Sequence, residues 1–219
     1  TNDYIISVEN RLAAWQECRR GKRTKQDVLE FQSNLISHIT ALHQDLKNKT
    51  YRHGGYHHFR ISDPKPRDIH KASVRDRLLH HAIYRLLYPY FDKKFIHDSY
   101  SCRLDKGTHK AMDRFRSFAH KVSRNHTRTC WVLKCDIRKF FTSIDHQVLY
   151  GVLQKQVQDP SILWLLKQVI SSFMSKGSPC YNVGLPLGNL TSQLLVNVYM
   201  NEFDQWVKHT LKAKYYVRY

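Results

Sequence analysis

The sequence predicts an α+β fold: a helix-rich N-terminal lobe carrying a β-hairpin, followed by a region in which strands return. Three observations carry this. Apolar residues recur every three or four positions over most of residues 3–124. The stretch 47–70 breaks that period with two adjacent glycines, two prolines and short alternating apolar pieces. Finally, WVLKCDI (131–137) is dense in the β-branched and aromatic residues that favour strands.

Taken in order, residues 3–19 place Tyr4, Val8, Leu12 and Trp15 on one helical face, with Gly21 as a stop. Thr24 and Asp27 have capping-box spacing, and Val28, Phe31, Leu35, Ile39, Leu42 and Leu46 then repeat with helical period. The basic segment 47–70 reads as a hairpin with apolar positions Phe59, Ile61 and Ile69. Ser73 and Asp76 form a second capping box, opening a helix through Val74, Leu78, Ala82, Leu86 and Tyr90 that turns near Pro89. Residues 108–124 form a basic amphipathic helix with Met112, Phe115, Phe118 and Val122 on its apolar face. WVLKCDI is expected to be a strand ending at Asp136, which would put Cys135 in the core. Helices are expected at 146–156 and 161–173, then a turn-rich stretch, a long helix over 190–209, and the start of a strand in KYYVRY. The boundary near residue 128 divides two regions, 1–128 and 129–219.

Composition narrows the function. The 219 residues are 42% hydrophobic, enough for a core, and no run of about 18 apolar residues exists to span a membrane. The opening residues lack a signal-peptide pattern. Five cysteines (Cys18, Cys102, Cys130, Cys135, Cys180), odd in number and never spaced C-x-x-C, read as reduced thiols in a cytoplasmic protein. A net charge of +18 expects a polyanion. Residues 1–128 hold 26 Lys+Arg and 13 Asp+Glu, so most of that attraction lies in the first region. The basic helix is either a phosphate-binding or a solvated face. His57/His58 and His80/His81 have no Cys or carboxylate at ligand spacing, which favours structural or nucleic-acid-facing roles over metal. Trp15, Trp131, Trp164 and Trp206 sit in apolar patterns and are expected to pack.

Two segments carry chemistry. In LKCDIRKFFTSIDH, a carboxylate at the end of an apolar strand is costly unless hydrogen-bonded or met by a cation, so Asp136 is either a Mg²⁺ ligand or a turn cap. Asp145 is expected to cap the following helix. In GLPLGNLTSQ, a Gly- and Pro-rich turn before a long helix either lets a nucleotide approach the backbone or is a plain helix entry.

Together and in this order, the segments resemble the reverse transcriptases, over about Ile61 to Tyr219. The resemblance implies the fingers and partial palm of a right-hand polymerase, with an antiparallel palm sheet packed on helices. Asp136 and the carbonyl of Ile137 would hold metal, two Mg²⁺ ions or Mn²⁺. Phe141 would lie under the incoming sugar, and Leu187 and Gly188 beside the nucleotide. Lys65 and Arg67, in the segment resembling the fingers hairpin, would grip the triphosphate. Arg75, Arg103, Lys106, Lys110, Gly184, Pro186, Ser192 and Gln193 would meet template or primer. The implied partners are an RNA template, a DNA or RNA primer and dNTP, with no membrane.

Most of the family has Gln-Gly and then Ser-Pro where this chain has Leu187-Gly188 and Ser192-Gln193. LGNLTSQ looks like the error-prone reverse transcriptases of diversity-generating retroelements, which implies a bacterial or phage element and a small helical accessory protein. Tyr219 stands where the family's Y-x-D-D would begin, so the chain as given is expected to be inactive alone. The alternatives are a retron-like, group II intron-like or defence-associated reverse transcriptase, or a non-catalytic RNA-binding module on a polymerase fold.

Overall fold

A computed structural model describes residues 2–62, 65–175 and 182–219. Four N-terminal helices, α1 (Asn2–Ile5), α2 (Val8–Cys18), α3 (Gln26–Ser33) and α4 (Leu35–Lys47), precede the antiparallel hairpin β1 (Tyr56–Ser62) and β2 (Pro66–Ala72). Then come α5 (Val74–Asp92), α6 (Thr108–Val122), the single turn α7 (Phe140–Ser143), α8 (His146–Gln156), α9 (Pro160–Ser171) and α10 (Leu190–Gln205), which ends in a π-helical turn. The long α5 is the axis of the molecule. It packs against α2 on one side and α10 on the other, and α10 packs on α8. One apolar cluster therefore runs from Trp15 and Phe31 through Leu78, Leu79 and Ile83 to Leu149, Leu165 and Leu195.

The helix expected over 3–19 breaks at residues 6–7, where the Ser7 hydroxyl caps α2 by accepting from the Asn10 N–H at 3.1 Å. That break resets the helical phase. Tyr4, Val8 and Leu12 are exposed, and Asn10, Ala14, Trp15 and Cys18 face inward. Asn10 fixes the docking by donating to the Ala82 carbonyl and accepting from Arg85 Nε. The next helix likewise breaks at Asn34, although its apolar face holds in Val28, Phe31, Ile39, Leu42 and Leu46. Thr24 and Asp27 form no capping box. Lys25 occupies the cap position, and the Asp27 carboxylate instead accepts from Lys71 at 2.7 Å and Arg77 at 2.6 Å.

Ser73 caps α5 as expected, accepting from the Asp76 N–H at 3.1 Å. The helix runs through Pro89 to Asp92 rather than turning there. On α6, Phe118 and Ala111 are buried, while Met112, Phe115 and Val122 are exposed.

The hairpin is the only sheet among the described residues. The strand expected in WVLKCDI is irregular, with Trp131 92% and Leu133 90% exposed and Cys135 also exposed. No neighbouring strand lies beside it among the described residues to pair its backbone N–H and C=O groups, and strand propensity alone does not supply that partner. KYYVRY is also irregular, with one isolated β-bridge between Ser99 and Arg218 among the described residues, and side-chain bonds from Tyr216 and Arg218 to Asp204 hold it. Trp15 is buried, Trp164 packs on the core and Trp206 is half exposed. Cys18, Cys102, Cys130 and Cys135 are free thiols; Cys180 lies outside the described residues. Among the described residues no helix is long and apolar enough to cross a membrane.

Candidate functional site

The Gly- and Pro-rich turn before α10 is stitched to the segment after Asp136. The Gly184 N–H donates to the Ile144 carbonyl at 2.8 Å and the Leu185 N–H to the Phe141 carbonyl at 2.7 Å. His146 adds a bond at 2.6 Å from Nε2 to the Gly184 carbonyl, which assigns that ring nitrogen its proton. Gly184 has φ +103°, and a Cβ there would overlap Ser175 Oγ, so the position requires glycine. Asp145 caps α8 as its sequence context predicts, with Oδ1 accepting from the N–H groups of Gln147 at 2.7 Å and Val148 at 3.0 Å. Phe141 sits half-buried against the core on the one-turn α7.

The hairpin joins the same turn from the other side. His70 N–H donates to the Leu187 carbonyl at 2.9 Å, and Asn189 Nδ2 donates to the His70 carbonyl at 2.8 Å. Gly188 has φ +104°, and a Cβ on it would come within 2.8 Å of Ile69 Cγ2. Residues two apart on a strand share a face, so Arg67 lies on the side of β2 that meets Gly188, one pleat beyond Ile69. Lys65 and Arg67 are exposed, and neither has a hydrogen-bond or ion-pair partner among the described residues. On the opposite strand the Tyr56 hydroxyl meets Ser172 at 2.7 Å, which fixes the hairpin base to the end of α9. Phe141, Gly184, Leu187, Gly188 and the hairpin are thus one connected unit.

Sequence reasoning missed the polar cluster beneath this unit. Asp76, read as a capping residue, points inward and accepts from the Tyr51 hydroxyl at 2.7 Å, the Ser73 hydroxyl at 2.7 Å and the Gly54 N–H at 3.0 Å. His53 Nδ1–H donates to the Gly54 carbonyl at 2.6 Å, so its Nε2 accepts from His80 Nε2–H at 3.1 Å. Burial pushes His80 down to about 3, which keeps it neutral. The available signal was the run of Tyr51, His53 and Gly54 ahead of a buried helix start. No periodicity marks such a cluster.

The remaining residues separate into groups. Asp136 is exposed on the irregular segment. Ile137 lines an apolar cleft of about 320 Å³ with Phe140, Ile144, Tyr199, Met200 and Phe203. Among the described residues no three His, Cys, Asp or Glu side chains converge to hold a metal, and a two-metal site needs several carboxylates. The described residues therefore do not fit a complete two-ion cage. Arg75 turns inward to Asp45 at 2.6 Å and the Arg52 carbonyl, over the Tyr51 ring. Arg103 is bound by Asp92 at 2.7 Å and by the carbonyls of Ile96 and Ser99. These two guanidinium groups hold the fold together. Lys106 and Lys110 bond to the carbonyls of His97 and Asp105. Pro186 and Ser192 are buried, and Gln193 is half-buried in the first turn of α10.

Near Tyr219, Arg218 Nε reaches both carboxylate oxygens of the fully buried Asp204 at 2.9 Å, and its terminal nitrogens reach Asn197 and Ser99. The Thr108 hydroxyl donates to the Tyr219 hydroxyl at 2.5 Å.

The family model described as Reverse transcriptase (RNA-dependent DNA polymerase) matches residues 61–219. The chain is 26% identical over 226 residues to the Group II intron-encoded protein LtrA of Lactococcus lactis subsp. cremoris, covering 97% of this chain and 35% of LtrA. It is 26% identical over 148 residues to Protein YkfC of Escherichia coli (strain K12), covering 67% of this chain and 38% of YkfC. The chain thus spans little more than a third of these relatives' length. A solved structure titled Partial Cas6-RT-Cas1--Cas2 complex shares the fold at a TM-score of 0.61 and 21% identity, covering 94% of this chain and 35% of that one.

Proposed function

Because the chain belongs to the reverse transcriptase (RNA-dependent DNA polymerase) family, we propose that it forms the fingers (1–128) and part of the palm (129–219) of an enzyme that copies an RNA template into cDNA. The observation that supports this best is the junction of hairpin and turn, in which Arg67 shares the β2 face that packs on Gly188. A nucleotide laid along the Gly188 backbone would meet, one pleat away, a cation with no partner among the described residues. Lys65 and Arg67 then neutralise its phosphates, and the two glycines admit it close to the chain. Phe141, whose carbonyl accepts from the Leu185 N–H, would exclude a ribose 2′-hydroxyl by contact. Asp136 and the Ile137 carbonyl are the chain's own donors toward Mg²⁺ or Mn²⁺, and further carboxylates are needed beside them.

The finer reading is an error-prone, diversity-generating enzyme. Leu187 offers an apolar side chain where most of the family carries an amide, and a site with fewer polar contacts discriminates less between bases. The likeness to LtrA favours a second reading, a group II intron-type enzyme.

Primer extension on an RNA template by the full-length gene product tests both. Phe141→Ala should raise ribonucleotide incorporation at least tenfold relative to wild type, and an unchanged sugar preference would remove Phe141 from the sugar site. Sequencing of the products separates the two readings: errors concentrated at template adenines support the diversity-generating type, and evenly low errors support the other.

A further inference from the structure

Asn189 precedes α10 with extended backbone angles, φ −111° and ψ 141°, the position at which an Asn side chain ordinarily caps the helix. It makes no capping bond there. The side chain is instead 4% exposed and donates from Nδ2 to the His70 carbonyl, 119 residues away in sequence, at 2.8 Å. The same residue of β2 donates its N–H to the Leu187 carbonyl at 2.9 Å. His70 is therefore bracketed by the residues on either side of Gly188, and the missing Cβ of Gly188 lets Ile69 close the gap. The His70 ring also stands edge-on to Phe173 at 4.7 Å.

We propose that Asn189 is a positioning residue: its side-chain amide locks the base of the hairpin to the nucleotide-side turn, so that Arg67 and Gly188 keep a fixed separation. What the hairpin and turn hold rests on the reverse transcriptase reading, whereas the lock between them does not. The donor is the essential feature. An Asp at this position would cap α10 well but has no N–H for the His70 carbonyl and sets a negative charge against it. Capping and locking thus make opposite predictions for one substitution.

Amide hydrogen exchange on the 219-residue chain reads the lock directly. Asn189→Ala and Asn189→Asp should each raise exchange over residues 66–72 at least tenfold while protection within α5 and α10 is kept. In the full-length protein, both should raise KM for dNTP at least fivefold with kcat within about twofold of wild type. An Asp variant that behaves as wild type would show that Asn189 acts as a cap. Unchanged hairpin exchange in both variants, or loss of protection throughout α5 and α10 in both, would equally overturn the lock. Absence of templated synthesis by wild type would defeat the functional reading and leave the exchange result to decide the lock.

Discussion

His80 shows how one side chain couples this fold to pH. Its imidazole is fully buried, and that burial pushes it down to about 3, against an ordinary value of 6.5. Between those values the unfolded chain binds a proton that the folded chain refuses, so stability falls as pH falls from 6.5 toward 3. His81, also lowered by burial, adds to the same trend. Asp27, Asp92 and Asp98 are held below the usual carboxylate value of 3.8, with burial opposing their Lys and Arg partners, so their contribution is lost only in stronger acid. Calorimetry at intervals from pH 7 to 4.5 should therefore show Tm falling from about pH 6.5, with a shallower slope in His80→Gln. An equal slope in wild type and variant would dissociate His80 from the effect.

At the scale of elements, local chemistry was legible where its partner lies within a few residues. Ser73 and Asp145 cap α5 and α8 as their spacing predicts. Asp145→Ala should cost about 1 kcal/mol of stability, as loss of a cap does, and Asp145→Asn much less; urea denaturation checks both. Equal losses would mean that the carboxylate charge, rather than its acceptor oxygens, matters. Where the deciding partner is distant, the sequence misled. Asp27 has capping-box spacing, yet two cations from other elements claim it. Neither the break at residues 6–7 nor the one at Asn34 coincides with a gap in the sequence's apolar spacing, so nothing in the pattern announces them. WVLKCDI has the composition of a strand, but among the described residues it has no neighbouring strand to pair with. Asn189 was legible as a helix entry, but not as a tie to His70, because a contact across 119 residues leaves no local trace.

At the scale of the whole molecule, one apolar cluster centred on α5 joins the N-terminal helices to α8, α9 and α10. The family and the order of its segments were legible in the sequence; the way the hairpin seats on the turn required the fold. The same fold sorts the excess positive charge. Asp27, Asp45, Asp92 and Asp98 pair with Lys71, Arg75, Arg77, Arg103 and Arg114, so these cations mainly hold the lobe together. Lys65 and Arg67 stand unpaired among the described residues on the hairpin, Arg67 on the β2 face that meets Gly188 through Ile69. The direct test is RNA-templated primer extension by the full-length protein with dNTP concentration varied, in wild type and in a Lys65→Ala/Arg67→Ala double variant. Wild type should carry out template-dependent cDNA synthesis, and the variant should show at least a tenfold rise in KM for dNTP with RNA affinity changed less than threefold. Template-dependent synthesis with an unchanged KM, or no synthesis by wild type, would contradict it.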